Sequence, residues 1–235
     1  MSFVVKAQDP NDPSHGIKLY MLVSTVKNSK PKHYSTFEEI KKIDFSTVYS
    51  VSIENRGRKT IIDASLLYNL LNNAPHLTHL SIVNNVLIDT FPKVEKDNYS
   101  LKTLYLTRNH LKTIPNDIDK FKVLELFSCQ GNDVNELSNS FSNLKSLKTL
   151  LINGNNFTIF PQQILELKQL TTLSFNENID VLPDAIQHLT ELTKISFSSI
   201  NIASLPKSFF RLKQLQYLDL SKNKFTGFPI ELLKL

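Results

Sequence analysis

Residues 101–115 read LKTLYLTRNHLKTIP. Leu104 and Leu106 flank Tyr105, and alternating apolar and outward positions are the period-two signature of a short strand with one buried face. Leu101 stands three residues ahead of this strand and Asn109 three behind it, while Leu111 and Ile114 bring the chain back to the core before Pro115. One strand, one turn and one apolar return are too little to enclose a core, so the unit needs neighbours like itself.

Those neighbours are present. The spacing L-x-x-L-x-L-x-x-N-x-L returns as Leu124, Phe127, Cys129, Asn132, Val134 and as Leu147, Leu150, Ile152, Asn155, Phe157. It continues as Leu170, Leu173, Phe175, Asn178, then Leu192, Ile195, Phe197, then Leu215, Leu218, Leu220, Asn223, Phe225, with an earlier copy at Leu77, Leu80, Ile82, Asn85, Leu87. Pro92, Pro115, Pro161, Pro183, Pro206 and Pro229 follow at steps of 23, 46, 22, 23 and 23 residues, Ser138 standing in the double gap. A fixed period of about 20 to 50 residues marks stacked structural units. One strand per coil gives a parallel sheet, with Asn109, Asn132, Asn155, Asn178 and Asn223 in a ladder where each amide pairs with turn backbone. The returns Pro115–Ile118–Phe121, Pro161–Ile164–Leu167, Pro183–Ile186–Leu189 and Pro206–Phe209–Leu212 read as short helical or 3-10 segments begun by proline.

These strings resemble the leucine-rich repeats of the 23-residue class, LPxxIxxLxxLxxLxLxxNxL, of bacterial type. The resemblance implies an α/β fold: a solenoid curved as a right-handed superhelix, with a parallel sheet on its concave face and short helical or 3-10 segments on its convex face. We expect one structural domain, with an N-terminal capping segment over residues 1–47 and the solenoid over 48–235. Within the latter, 48–76 form a degenerate first coil (Val48, Val51, Ile53, Ile61) and 77–235 form seven repeats. Two departures stand out. IDVLP after Asn178 is one residue short, and Ile200 holds the next ladder position, so a local kink is expected with Asn201 as a candidate substitute. Ser138 can cap its helix as proline would begin it.

The ends need cover. Phe3–Ala7 and Ile17–Val26 read as a hairpin across QDPNDPSHG, and SKPKHYSTFEEIKKI as a helix with a Ser35–Glu38 capping box. DASLLYNLLNNA reads as a helix on the first convex limb. The C-terminal coil (Leu218, Leu220, Phe225, Phe228, Leu232, Leu235) has no successor, so either the sequence stops at a boundary or the edge pairs with a second copy across a two-fold axis.

Composition narrows the function classes. No apolar run nears the ~18 residues that cross a bilayer, so no membrane span is expected. The start MSFVVKAQDPND shows no secretion signal; a native start at Met1 implies a cytoplasmic protein, and a leader already removed would imply a secreted or cell-surface one. The net charge of +5 is spread among interspersed carboxylates, a pattern unlike a nucleic-acid groove. Cys129, the single cysteine, sits at an inward strand position and reads as a core residue. His76 and His79 lack an adjacent third ligand, and no phosphate loop, nucleophile elbow or zinc-protease helix is present. No catalytic, metal or cofactor site is therefore expected, and no enzyme.

What remains is the outward surface of the strands. Its candidate partner-binding residues are His79, Val83, Thr103, Tyr105, Leu126, Ser128, Thr149, Leu151, Asn153, Thr172, Asn176, Lys194, Tyr217 and Asp219. Exposed apolar area at Tyr105, Leu126 and Leu151 asks for a partner. The expected function is a protein-protein interaction scaffold binding a macromolecule on the concave face. A carbohydrate or surface-polymer binder is the alternative, short of aromatic platforms; a hydrolase or metal-dependent enzyme is disfavoured.

Overall fold

Alternation at each repeat becomes a strand whose inward pair is sealed from water, except in the last coil, where Leu218 and Leu220 are half-buried. A computed structural model of the chain describes residues 19–27, 29–34, 37–40, 42–55, 64–84 and 91–234. In chain order the strands are β1 (Leu19–Ser24), β2 (Lys32–Tyr34), β3 (Ser50–Asn55), β4 (His79–Val83), β5 (Thr103–Tyr105), β6 (Leu126–Ser128), β7 (Thr149–Leu151), β8 (Thr172–Ser174), β9 (Lys194–Ser196) and β10 (Tyr217–Asp219). They form one ten-stranded sheet in the order β10-β9-β8-β7-β6-β5-β4-β3-β1-β2. From β3 to β10 every pairing is parallel, with Leu104, Phe127, Leu150, Leu173, Ile195 and Leu218 in one row. The open sheet and its repeated returns are those of a leucine-rich-repeat solenoid.

The convex side is as the prolines predict. Gln162–Glu166, Asp184–His188 and Lys207–Arg211 are 3-10 segments, each entered through proline at φ between −71° and −64°. Proline holds this φ without further ordering cost. Ser138 has the same extended geometry, but its hydroxyl makes no cap; it pairs with the Ser140 hydroxyl at 2.8 Å. The first convex limb is longer, a helix α2 (Ala64–Asn73) that buries Leu66, Leu67, Leu70 and Leu71. Between sheet and convex side lies a continuous core in which Phe160 contacts both Phe175 and Phe197, ring centres 5.5 and 6.4 Å away. Such tilted and edge-on contacts join three successive coils.

The N-terminal end differs from expectation. The hairpin partner of β1 is β2, drawn from the KHY of SKPKHY, and β1 also runs antiparallel to β3. The turn is tied by Ser24, whose hydroxyl meets the Val26 carbonyl at 2.9 Å and the Ser29 hydroxyl at 2.7 Å. A single helical turn, α1 (Phe37–Ile40), follows and buries Ile40. Phe3–Ala7, the QDPNDPSHG turn, Ser35, Ile61, Asn85, Leu87 and Leu235 lie outside the described residues.

The asparagine ladder holds at Asn109, Asn132, Asn155 and Asn223. Asn132 is representative: its Oδ1 accepts from the backbone N–H groups of Asn109 and Leu111, both at 3.0 Å. Its Nδ2 donates to the carbonyls of Leu106 and Cys129 at 2.8 and 2.7 Å. The ladder breaks at Asn178, which is exposed, and Glu177 takes the buried place, accepting from the Asn155 N–H at 2.6 Å. The cause is the missing residue: Phe175 and Pro183 are eight apart where the other coils have nine, so the turn rotates Glu177 inward and Asn178 out. In the next coil Ile200 is fully buried and its carbonyl accepts from the Ile179 N–H at 3.1 Å. Asn201 does not substitute; at φ 71° it turns away, and its amide donates to the Asp180 carboxylate. The strand register passes through the short coil unbroken, Thr172 beside Lys194.

Candidate functional site

With the register known, the outward side chains fall into columns. One runs His79, Thr103, Leu126, Thr149, Thr172, Lys194, Tyr217, and the next Ser81, Tyr105, Ser128, Leu151, Ser174, Ser196, Asp219. Neighbouring strands lie about 4.8 Å apart, so residues adjacent in a column touch or nearly touch. Tyr105 and Leu151 therefore stand on either side of Ser128, with Leu126 diagonal to both. This apolar centre is about 10 Å across, and all three side chains are half-buried. Thr103, Thr149, Thr172, Val83, Asn153 and Asn176 are half-buried around it, and His79, Lys194 and Tyr217 are exposed.

Ser128 is a correction. Although it points outward by alternation, it is fully buried. Its short side chain lies below Tyr105 and Leu151 and meets the Thr107 hydroxyl at 3.1 Å and Gln130 at 3.4 Å. It cannot meet a partner directly. The polar line continues from Gln130 to Asn153, whose carbonyl oxygen also accepts from the Ser174 hydroxyl at 3.1 Å. These amides and hydroxyls are held by one another before any partner arrives, which lowers the ordering cost of binding.

The face also extends beyond the seven repeats, onto the degenerate first coil and β1. Ser50, Ser52 and Glu54 of β3 lie opposite His79, Ser81 and Val83, and Leu22 of β1 lies opposite Ser52. Val48, Val51 and Ile53 keep the L-x-x-L-x-L spacing of the degenerate first coil, and the alternation Val51–Ser52–Ile53–Glu54 sets Ser52 and Glu54 outward. At the other end Asp219 accepts from the Ser221 hydroxyl and from its N–H at 2.9 Å. These bonds, with further help from Ser196 and Lys222, hold its carboxyl below the ordinary range.

Other titratable groups point away from chemistry. Burial pushes the Cys129 thiol far above its ordinary value, and the Glu177 carboxylate adds to the effect. His76 stacks on Tyr49 at 5.3 Å, and His79 Nδ1 meets the Thr78 hydroxyl at 2.9 Å. Among the described residues, no three His, Cys, Asp or Glu side chains are grouped to hold a metal, and no helix is long and apolar enough to cross a membrane.

Residues 75–134 match the family model described as leucine rich repeat, and residues 214–235 match a second of the same description. Receptor-like protein 39 of Arabidopsis thaliana is 32% identical over 138 residues, covering 55% of this chain and 16% of the relative. The structure of a leucine-rich-repeat protein from Leptospira interrogans superposes with a TM-score of 0.67 at 28% identity, over 77% of this chain and 45% of the other. The plant peptide hormone receptor RGFR1, solved in complex with RGF2, gives a TM-score of 0.54 at 25% identity, over 73% of this chain and 28% of the receptor. The chain spans less than half the length of each of these proteins.

Proposed function

We propose that this leucine-rich-repeat protein is a binding scaffold, without catalytic activity of its own, that holds a protein or peptide partner on its concave face. The observation that carries the reading is the apolar centre of Tyr105, Leu126 and Leu151 on three adjacent strands, set in columns whose other members are mostly Ser and Thr. Water-exposed apolar area at the middle of a preorganised polar surface is the composition of a binding hot spot with its rim. RGFR1, whose fold this chain shares, is a peptide hormone receptor solved with RGF2. In our reading His79, Val83, Thr103, Thr149, Asn153, Thr172 and Asn176 form the nearer rim, with Lys194, Tyr217 and Asp219 reached by a longer ligand. Capture of a partner by the wild-type chain and by Tyr105→Ala/Leu151→Ala tests it: the variant keeps its melting temperature and loses at least about tenfold in affinity. Unchanged affinity would refute the assignment.

The last coil supports a second contact. Leu218, Leu220, Phe225 and Leu232 are only partly covered, Phe228 is 67% exposed, and together with Leu215 and Tyr217 they line a groove of about 440 Å³. Beside it, among the described residues, β10 pairs with β9 alone. A second copy of the chain meets both needs, extending the sheet across a two-fold axis and covering the apolar flank.

A further inference from the structure

The sequence at the N-terminal end of the concave face is rich in basic residues. From Leu19 to Tyr34 the sequence contains Lys27, Lys30, Lys32 and His33 and neither aspartate nor glutamate. The turn after β1 brings Lys27 over the start of β4, where it lines a basin of about 430 Å³ together with Ser50, His79 and Lys102. Among the described residues, no acidic side chain lines that basin. Beyond it Glu125 lies between two lysines, 3.4 Å from Lys102 and 3.0 Å from Lys148, and both hold its carboxyl below the ordinary range. One carboxylate shared by two ammonium groups leaves a net positive charge at this edge.

The orientation of His79 fits the same chemistry. The Thr78 hydroxyl lies 3.0 Å from the Tyr49 carbonyl, which can only accept, and 2.9 Å from His79 Nδ1. Its single proton goes to the carbonyl, so Nδ1 carries the ring proton and donates to Thr78; Nε2 accepts in the neutral ring and donates to a carboxylate only in the imidazolium. Lysines are separate point charges on flexible stems, unlike the fork of an arginine that clamps one dianion. Cations spaced along a turn, a strand and two strand starts match negative charges that are spaced as well.

We propose that this basin receives an acidic stretch of the partner polypeptide, with its carboxylates set against Lys27, His79 and Lys102 while a neighbouring apolar residue reaches the Tyr105–Leu126–Leu151 centre. The partner class rests on the concave-face reading; the basin itself is tested separately. Two strands, about 10 Å, separate the His79 and Leu126 positions, a span of about three extended residues. Such a contact raises the association rate and weakens with salt.

The test uses the full chain, isotope-labelled, titrated with a hexaglutamate peptide at fixed ionic strength, with hexaglutamine as the neutral control. Saturable shifts are expected at Ser50, His79 and Lys102 with hexaglutamate alone, weakened about fivefold or more by Lys27→Gln/Lys102→Gln. Glu125→Gln, which frees both of its lysines, should tighten binding about twofold to fivefold. Tyr105→Ala/Leu151→Ala should leave hexaglutamate binding unchanged, so a failure of the concave-face reading appears only in partner capture. Non-saturating shifts, shifts that survive the double lysine substitution, weaker binding by Glu125→Gln, or full displacement of the peptide by inorganic sulfate at equal charge would overturn the proposal.

Discussion

Glu177→Gln is expected to make the protein more stable at neutral pH. Glu177 is 5% exposed, and burial pushes its carboxyl above the ordinary carboxylate range against the pull of the Asn155 and Gly154 N–H groups. A carboxyl whose folded pKa is raised binds its proton more tightly in the native state. Its relative contribution is therefore fully present below the unfolded pKa and is lost as the pH rises through the folded one. When ionised in the native state, the Glu177 carboxylate has given up most of its water for the 2.6 Å bond from Asn155 and the weaker help of Gly154. Burying a charge costs several kcal/mol, and each charged hydrogen bond returns about 1.5–3 kcal/mol, leaving a net penalty of about 1–2 kcal/mol. Glutamine keeps an oxygen to accept from Asn155 and carries no charge. The melting temperature at pH 7 should rise by about 2–4 °C per kcal/mol, followed by circular dichroism from pH 4 to 8. The wild type should lose stability across that range relative to the variant. A variant less stable than wild type at pH 7, or two curves with the same pH slope, would refute the reasoning.

Asn132→Ala removes two accepted and two donated backbone bonds inside the stack and should cost about 3 kcal/mol in thermal or urea unfolding, more than Asn223→Ala in the half-open last coil. Equal, small losses at both positions would show the ladder to be solvated. Ile200→Asn, which the ladder register alone would make benign, should instead cost about 2–3 kcal/mol, since Ile200 is fully buried and its carbonyl already serves Ile179. Phe228→Glu should shift the chain toward monomer in light scattering over a range of concentrations; a wild-type chain that stays monomeric at high concentration removes the case for the dimer.

The strands, their parallel order and the inward row could be read from Leu104, Leu106 and their repeats because burial is periodic and the period never drifts within a strand. The turns were less legible because they are counted from two ends. Counting from Phe175 places Asn178 in the ladder, whereas counting back from Pro183 leaves room only for Glu177. Sequence spacing cannot choose between the two; closure of the turn does. Ser128 shows a different limit: alternation gives the direction of a side chain, but its exposure depends on the size of Tyr105 and Leu151 beside it. The same holds for the hairpin, where KHY has no marked strand pattern and is ordered by pairing with β1. On the concave face, the apolar centre was visible as three residues in three repeats. The extension onto β1 and the lysine-lined basin were not, since both depend on a segment outside the repeat folding onto it.

Hydrogen exchange of the chain with and without its captured partner tests the concave-face claim most directly. The account predicts added protection in β5, β6 and β7 and the turns at residues 107 and 130 that follow β5 and β6, with the convex 3-10 segments unchanged. Protection confined to the convex segments, or to the last coil over residues 217–234, would contradict it.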